Sequence, residues 1–365
     1  MGQLPTILDV AAAAGVSRQT VSNVLNSPSL VRPGTREKVE AAIAGLGYRP
    51  HASARRLRTQ KSSTIGIRLD PLSAEGISGS ILDRFLHSLT EQADRKNLRV
   101  MVFTATDSRD EIRQFKRLSE GADVDAFVLT STFHGDPRTQ WLIEHGQPFV
   151  TFGRPWGTDD ITNPQHLWVD VDGRHGIREA TVHLLGTGAR RIAYIGWPSP
   201  SGTGDDRRRG WQQAMVESSG LRPEEITALH APTEDGATFG AQAMLHLEKT
   251  AGDIEAVVCS SDALALGAFM HSAGRIPIIG YDNTPVASSI GFSSIEQPID
   301  DVAGGILDLL TGAHGGRVQP DQEVPEPTHR LLQPRLILRN PRVQAITAPS
   351  SQQRQVRPGA ARLSR

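Results

Sequence analysis

The sequence lacks several features that would mark a membrane or secreted protein. A single cysteine, Cys259, among 365 residues excludes a disulfide bond within one chain. No apolar run approaches the roughly 20 residues that a membrane helix needs. The first residues also carry no hydrophobic stretch of a secretory signal. We therefore expect a cytoplasmic protein.

The signatures of several enzyme classes are missing as well. The histidines show no metal-binding spacing such as His-Glu-x-x-His, and no Gly-x-Ser-x-Gly nucleophile elbow is present. The glycine-rich segments SGTGDD and LLGTGARR do not fit the loops that bind dinucleotides or phosphates. We expect a protein that is not an enzyme and that holds no metal and no cofactor.

What the chain does have is basic charge at both ends. Residues 1–62 carry nine Lys and Arg against three acidic residues, and residues 339–365 carry six Arg and no acidic residue. Each end is therefore +6 in a chain of net charge -1, which leaves about -13 for the middle. A basic head on an acidic body suits contact with phosphates at one end. The composition of residues 339–365 predicts a disordered tail. Its arginines either make a further contact with phosphates or belong to a solvated end without a role.

The segment TILDVAAAAGVSRQTVSNVLN predicts two short helices joined by a tight turn. Thr6 and Asp9 form the pattern of a capping box, and Gly15 supplies the turn after Ala14. Ser17 caps the second helix, whose apolar residues recur at inward-packing spacings: Val21, Val24 and Leu25. Its opposite face carries hydrogen-bonding groups: Arg18, Gln19, Ser22, Asn23 and Asn26. A helix-turn-helix places such a face in the DNA major groove, whereas the alternative is a helical hairpin with a solvated polar face.

A third helix and a basic segment follow. The third helix is predicted from Thr35 to about Ala44, ended by glycines, with a buried stripe formed by Val39, Ala42, Ile43 and Leu46. The next segment, HASARRLR, is too short to hold a helix alone in water. It could become helical on a surface that neutralises its arginines and accepts Leu57.

From Thr64 to about Leu338, apolar strand-like runs alternate with helical stretches. The strand candidates include TIGIRL, RVMVFT, AFVLTS, FVTFG, RIAYIG, AVVCS and IPIIGYD. Repeated strand–helix–strand order predicts parallel sheets with helices on both faces. Ligands of such sheets bind beyond the carboxyl ends of the strands, so the loops after the strands are the candidate sites.

The blocks DVAAAAGVSRQTVSNVLN, TREKVEAAIAGLGYRP and ASARRLRTQKSSTIGI resemble the lactose/galactose repressor (LacI/GalR) family of transcriptional regulators. The resemblance extends to about Asn340. It implies a helix-turn-helix head and a two-lobed core similar to periplasmic sugar-binding proteins. The implied domains are a head at 1–48, a hinge at 49–62, a core at 63–338 and a tail at 339–365. Within the core, the first lobe is predicted at about 63–165 and 299–322, and the second at about 166–298 and 323–338.

The resemblance also implies which residues contact DNA. Arg18, Gln19 and Asn23 match the positions that read bases. Leu57 matches the hinge leucine that the family inserts into the minor groove. His51 departs from the family, whose hinge often begins with Asn, and we assign it no role. The full predicted DNA-binding set is Thr6, Ser17, Arg18, Gln19, Thr20, Ser22, Asn23, Asn26, Ala54, Arg55 and Leu57.

For the effector, the family resemblance points to Arg207 and Asp282. A guanidinium and a carboxylate can together hold the vicinal hydroxyls of a sugar. The alternatives are surface charge for Arg207 and a turn or capping role for Asp282. Further candidates at strand ends are His134, Asp136 and Arg154, for which a solvated loop is the alternative. Ser261 is another, and its neighbour Asp262 could instead simply cap the next helix. Trp156, Trp168 and Trp197 lie near loops, where packing is the default and stacking on a sugar the alternative. Residues 264–278 are shorter than the family pattern, so the resemblance assigns neither the shape of one pocket wall nor the size of the ligand.

Two rival functions remain to be weighed. A periplasmic sugar-binding protein would fit residues 63–338 but not the head or the missing signal. A sugar kinase would need phosphate-binding glycines and a catalytic aspartate that the sequence does not show. We expect a homodimeric, nucleoid-associated transcriptional regulator, and specifically a repressor. We expect it to bind double-stranded operator DNA and a small polar effector such as a sugar.

Overall fold

The computed structural model describes residues 5–48, 62–69, 80–157, 161–312 and 328–339. The first of these ranges is a helical head. Its elements are α1 (Ile7–Ala14), α2 (Arg18–Asn26), a 3₁₀ turn (Pro28–Leu30) and α3 (Pro33–Leu46).

The capping pattern at the start of the head is confirmed. The Thr6 amide donates to Asp9 Oδ2 at 2.7 Å, and the Asp9 amide donates to Thr6 Oγ1 at 3.4 Å. Gly15 ends α1 in the left-handed conformation with φ 66°, and Ser17 caps α2. These local hydrogen bonds fix the angle between two helices whose inner residues are fully buried, as Val10 and Val21 show.

The third helix differs from its prediction in two respects. It begins at Pro33 rather than Thr35, because proline suits the first turn of a helix, where its missing N–H costs nothing. It also continues through Gly45 and ends only where Gly47 takes φ 62°. Leu46, predicted in the buried stripe, is 39% exposed because it lies on the last turn beside an open groove.

The core contains two sheets of six strands, each covered by helices. Sheet A has the order β11-β5-β4-β3-β1-β2 and is parallel throughout. Its strands are β1 (Thr64–Leu69), β2 (Arg99–Thr104), β3 (Ala126–Leu129), β4 (Phe149–Phe152), β5 (Leu167–Val171) and β11 (His329–Leu332). In the part of the chain that the structure describes, this lobe has the helices α4 (Ser80–Arg95), α5 (Ser108–Glu120), α6 (Pro137–Glu144) and α13 (Ile299–Thr311).

Sheet B forms the second lobe with the order β12-β10-β9-β8-β6-β7, in which β12 alone runs antiparallel. Its strands are β6 (Ile192–Gly196), β7 (His230–Pro232), β8 (Ala256–Cys259), β9 (Ile278–Tyr281), β10 (Ser293–Glu296) and β12 (Arg335–Ile337). Its helices are α7 (Gly173–Gly186), α8 (Gly202–Ser218), α9 (Pro223–Ala228), α10 (Ala237–Thr250), α11 (Asp262–Ser272) and α12 (Pro285–Ile290). Cys259 is fully buried in the core of this lobe.

The predicted lobe limits are wrong at two places. The strand β5 was assigned to the second lobe, but it pairs with β4 and β11 in sheet A, so the chain first crosses between lobes after Val171. The strand β11 also belongs to sheet A, and the last crossing lies at Gln333–Pro334. The segment after α11 is compact, with five residues between Ser272 and Ile278. Within the described ranges, no helix is both long enough and apolar enough to cross a membrane.

Candidate DNA-binding face and interlobe cleft

The outer face of α2 presents polar side chains away from the core of the head. Arg18 and Gln19 are exposed, and Ser22 and Asn23 are half-buried. Gln19 Nε2 donates to Asn23 Oδ1 at 3.0 Å, which fixes both amides on one stripe of the helix. A flat row of donors and acceptors on an exposed helix can pair with base edges.

The remaining predicted DNA contacts divide into two groups. Ser17 and Thr20 share a hydrogen bond of 2.9 Å between their hydroxyls at the start of α2, and Thr6 caps α1, so all three serve the fold of the head. The Asn26 side chain and the hinge residues Ala54, Arg55 and Leu57 lie outside what the structure describes. Their roles stay predictions.

A cavity of about 220 Å³ lies between the lobes, beyond the carboxyl ends of strands in sheet A. Its position agrees with the rule for ligand sites in parallel sheets. Its charged or aromatic lining residues are Phe152, Arg154, Trp156 and Asp170 from the first lobe and Asp206 and Arg207 from the second.

Arg154 bridges the two lobes. Its Nε donates to Asp170 Oδ2 at 2.6 Å, and its Nη2 donates to Asp206 Oδ2 at 2.8 Å. Its guanidinium also lies over the ring of Trp156, with 4.7 Å from the carbon to the ring centroid. Burial raises the pKa of the Asp170 carboxyl, and the Arg154 charge opposes that rise. Arg154 therefore lies at the cleft, as predicted, but its guanidinium is already hydrogen-bonded to two carboxylates.

Arg207 is a buried cation on the second-lobe wall. Its guanidinium carbon lies 3.5 Å from the centroid of the Tyr281 ring, and its Nη1 donates to the Ser260 carbonyl. Its Nε has no hydrogen-bond partner among the described residues. A buried donor without a partner is costly unless a water or ligand supplies an acceptor. The alternative of plain surface charge is excluded because the side chain is buried.

Asp282 lies one residue behind the cavity wall rather than on it. Its Oδ1 accepts a hydrogen bond of 2.7 Å from Gln297 Nε2, and Gln297 lines the cavity. Its carbonyl accepts from Arg84 Nη1 at 3.2 Å, a second polar contact between the lobes. Burial raises the pKa of the Asp282 carboxyl to about 7, although Arg207 acts to lower it. Asp282 therefore does not line the cavity as the predicted clamp requires, whereas Gln297, to which it is hydrogen-bonded, does.

Three weaker predictions do not lie at the cavity. Asp136 is buried and accepts from Arg138 through both carboxylate oxygens, so it is a capping and ion-pair residue of α6. His134 is an exposed loop residue outside the cavity lining. Ser261 caps α11 and donates to Asp235. Each of the three follows a strand as predicted, but none of them lines the cavity.

Sequence reasoning missed the two carboxylates that hold Arg154. Asp170 is the last residue but one of a strand, LWVDV, that is absent from the predicted strands, and Asp206 directly precedes Arg207 on α8. Trp156 lines the cavity and contacts Gly202 closely, whereas Trp168 stacks on His329 at 5.0 Å as a packing residue. The signal that could have found Asp170 was an acidic residue at a strand's carboxyl end.

The fold and site define a class: a helix-turn-helix head joined to a two-lobed core with a polar interlobe cavity. Comparison with known proteins agrees. The model of bacterial regulatory proteins of the lacI family matches residues 6–51, and that of periplasmic binding protein-like domains matches residues 181–340.

Whole-chain relatives extend this result. The transcriptional regulator CelR of Thermobifida fusca is 32% identical over 352 residues, covering 92% of this chain and 97% of its own. AglR of Rhizobium meliloti is 34% identical over 78% of this chain and 80% of its own. The chain therefore belongs to the LacI family of DNA-binding transcriptional regulators. Its relatives are regulators rather than enzymes.

Solved structures show the same architecture. A LacI-family regulatory protein from Chloroflexus aggregans has a TM-score of 0.66 at 32% identity, covering 76% of this chain and 97% of its own. A CelR–cellobiose complex has a TM-score of 0.64 at 28% identity, covering 92% and 99%. The lac repressor dimer bound to operator has a TM-score of 0.75 at 23% identity, covering 93% and 99%, and shows the common fold.

Proposed function

We propose that this protein is a homodimeric transcriptional repressor whose affinity for a pseudo-palindromic operator is controlled by a sugar or sugar derivative in the interlobe cleft. The observation that carries the proposal is the exposed polar face of α2 in a head of net positive charge. Two such heads in a dimer would read two half-sites on one face of the duplex.

The head and the hinge together supply both kinds of DNA contact that specific recognition needs. Arg18 and Gln19 stand at the first turn of α2, where an arginine can pair with guanine and a glutamine with adenine. The arginines of the hinge add sequence-independent attraction to phosphates. Leu57 is proposed to wedge into the minor groove at the operator centre.

The core supplies a ligand site that bridges two movable bodies. Arg154 joins Asp170 of the first lobe to Asp206 of the second, and Arg84 reaches the carbonyl of Asp282 across the same gap. A ligand that takes over any of these contacts changes the relative position of the lobes. Movement of the first lobe would then alter the spacing of the hinges, which is the coupling that allostery requires. The cellobiose held by the related CelR supports a sugar as the ligand class.

Base reading is tested with Arg18→Ala in the full-length protein. We expect a loss of about 1–3 kcal/mol on an operator selected from random duplexes, with relaxed preference at one base pair per half-site. The matched control is Arg36→Ala, which removes the same charge from α3, where Arg36 pairs with Glu40. It should weaken binding to all duplexes equally and by less. A uniform loss for Arg18→Ala would contradict base reading.

The effector class is tested by a thermal-shift screen of sugars and sugar derivatives on the full-length protein. A hit should raise the melting temperature, because a ligand that binds only the folded state stabilises it by mass action. The shift should disappear in Arg207→Met, which keeps the bulk of the side chain but removes its donors. A hit that Arg207→Met retains would place the ligand elsewhere.

A further inference from the structure

We infer that residues 153–157, the loop after β4 in the first lobe, act as a strap that holds the two lobes together and that a ligand must release. This strap docks on the first two turns of α8 in the second lobe. The inference rests on the proposed function, because it describes how the same cleft would be regulated. It goes further by assigning the resting conformation of the core to contacts between protein side chains.

Two contacts of different kinds join the strap to α8. The first is an ion pair, in which Arg154 Nη2 donates to Asp206 Oδ2 at 2.8 Å, with the two side chains 13% and 10% exposed. The second is steric, because the Trp156 ring fills the space beside Gly202, where an added Cβ would lie 2.2 Å from Trp156 Cγ. Charge and shape therefore select the same docked position, and salt screens such a buried pair less than a surface pair.

The first lobe anchors the strap at its base. Thr132 Oγ1 donates to the Arg154 carbonyl at 2.8 Å, and Arg154 Nε donates to Asp170 Oδ2 at 2.6 Å. Gly153 begins the strap with φ 115°, a conformation that favours glycine. The Arg154 guanidinium also stacks on the Trp156 ring, so the two docking side chains support each other. The strap can therefore leave α8 only if the first lobe moves with it or if these bonds break.

The strap and a ligand compete for the same side chains, because Arg154, Trp156 and Asp206 all line the cavity. The cavity of about 220 Å³ is also smaller than the roughly 300–1,000 Å³ of most small-molecule sites. A ligand that needs more space binds only the conformation in which the strap has left α8. Since a ligand shifts the balance between two states by its difference in affinity for them, such a ligand favours release of the strap.

The first test adds one methyl group to the full-length protein and measures the distance between the lobes. Gly202→Ala removes no charge and no side-chain hydrogen bond, but its Cβ displaces the Trp156 ring. The control Gly186→Ala adds the same methyl at the last residue of α7, where nothing lies within 4 Å. Neither glycine has a positive φ, so alanine suits both backbones. Nitroxide labels on Lys116→Cys in the first lobe and Val216→Cys in the second, diluted with unlabelled protein, report the distance by pulsed electron paramagnetic resonance.

The two label positions are exposed and the native Cys259 is fully buried, so the added cysteines take the label. We expect a single distance in the otherwise wild-type protein and in the control. A second, displaced distance should appear in about half or more of the Gly202→Ala molecules. Asp206→Asn, which removes the charge from the ion pair, carries the test if Gly202→Ala does not fold. The wild-type distance alone in both variants would overturn the inference.

The second test asks whether a ligand must release the strap, with cellobiose as the probe because the related CelR holds it. In Trp156→Cys/Gly202→Cys, the sulfur at 156 takes the place of Trp156 Cγ, close to the Cβ at 202, so mild oxidation can join the lobes by a disulfide. By titration calorimetry, the oxidised protein should bind cellobiose at least about tenfold more weakly than the same protein after reduction. Gly202→Ala should bind it more tightly than the wild type, because the competent state is already populated.

The outcomes separate the strap from the function beneath it. Equal affinities of the oxidised and reduced proteins, or weaker binding by Gly202→Ala, would overturn the inference, since damage to a site lowers affinity whereas release of a strap raises it. Failure of cellobiose to bind any of these proteins would count against the proposed sugar effector. The distances between the lobes would then still decide whether the strap holds them together.

Discussion

Replacing the buried Arg138 with methionine should destabilise the first lobe severely. Arg138 is 2% exposed and donates to Asp136 through Nε and Nη2, at 2.9 Å and 2.6 Å, and to Glu111 through Nη1 at 3.0 Å. Its Nη2 also donates to the carbonyls of Thr130 and Ser131, at 3.2 Å and 3.0 Å. Methionine fills much of the same space and can make none of these bonds.

The magnitude follows from what the substitution leaves behind. Breaking a buried ion pair by removing one partner costs about 3–5 kcal/mol, since the other charge stays buried and unpaired. Glu111 keeps a second cation, with Arg68 Nε 3.3 Å from its Oε2, whereas Asp136 keeps no other cation within ion-pair distance among the described residues. We therefore expect a loss of about 3–4 kcal/mol, in the lower part of that range.

Urea denaturation followed by circular dichroism measures this loss. The matched control is Arg113→Met, whose pair with Asp110 at 2.9 Å is at the surface, with Arg113 68% exposed, and which should cost less than about 1 kcal/mol. Burial raises the pKa of the Glu111 carboxyl and the Arg138 charge opposes that rise, so without Arg138 the folded state holds a proton on Glu111 to higher pH than the unfolded chain does. The destabilisation should therefore shrink as the pH falls from about 7 toward about 5. Equal losses for the two variants, or a loss that does not change with pH, would refute the reasoning.

Three further predictions concern the head, the cleft and the hinge. Thr6→Ala should remove the capping box and cost about 1 kcal/mol, seen as about fivefold faster amide hydrogen exchange in α1; unchanged exchange would contradict the capping role. The pKa of Asp282 is raised from 3.8 to about 7, so the folded protein binds more protons than the unfolded chain between these values, and its stability falls as the pH rises through them. Asp282→Asn should flatten that fall in denaturation series at several pH values, and parallel curves for the two proteins would argue against it. Leu57→Ala should weaken binding to the selected operator while leaving salt-sensitive binding to random duplex nearly intact; equal losses on both DNAs would exclude the wedge.

The head was predictable from sequence because its signals are local. The capping box, the left-handed Gly15 and the cap at Ser17 each act within four residues, and all three occur as predicted. The ends of α3 were less predictable, because proline and glycine interrupt a helix at some positions and are tolerated at others. Pro33 lies in the first turn of α3, and Gly45 lies inside the helix without ending it. Leu46 shows that apolar periodicity identifies the inward face of a helix but not the last residue on that face that is buried.

The cleft was predictable only in outline. Strand order located its edge, and Arg207 and Arg154 do lie at the cavity. The carboxylates that bind Arg154 come from both lobes, so they become neighbours only when the lobes pack together. The spacing of residues 154 and 206 in the sequence does not predict their contact. The role of Asp136 was misjudged for a similar reason, because its partner Arg138 is visible in the sequence but the burial of the pair is not.

The central claim is that the head binds operator DNA and that a ligand in the core changes the affinity of this binding. Its most direct test measures both affinities of the full-length protein: for the selected operator with and without a bound sugar, and for that sugar with and without operator. The account predicts the same factor in both directions, about 5–150-fold, because coupling between two sites is reciprocal. A protein that does not distinguish its best duplex from random competitor, or whose sugar and operator affinities are independent, would contradict it.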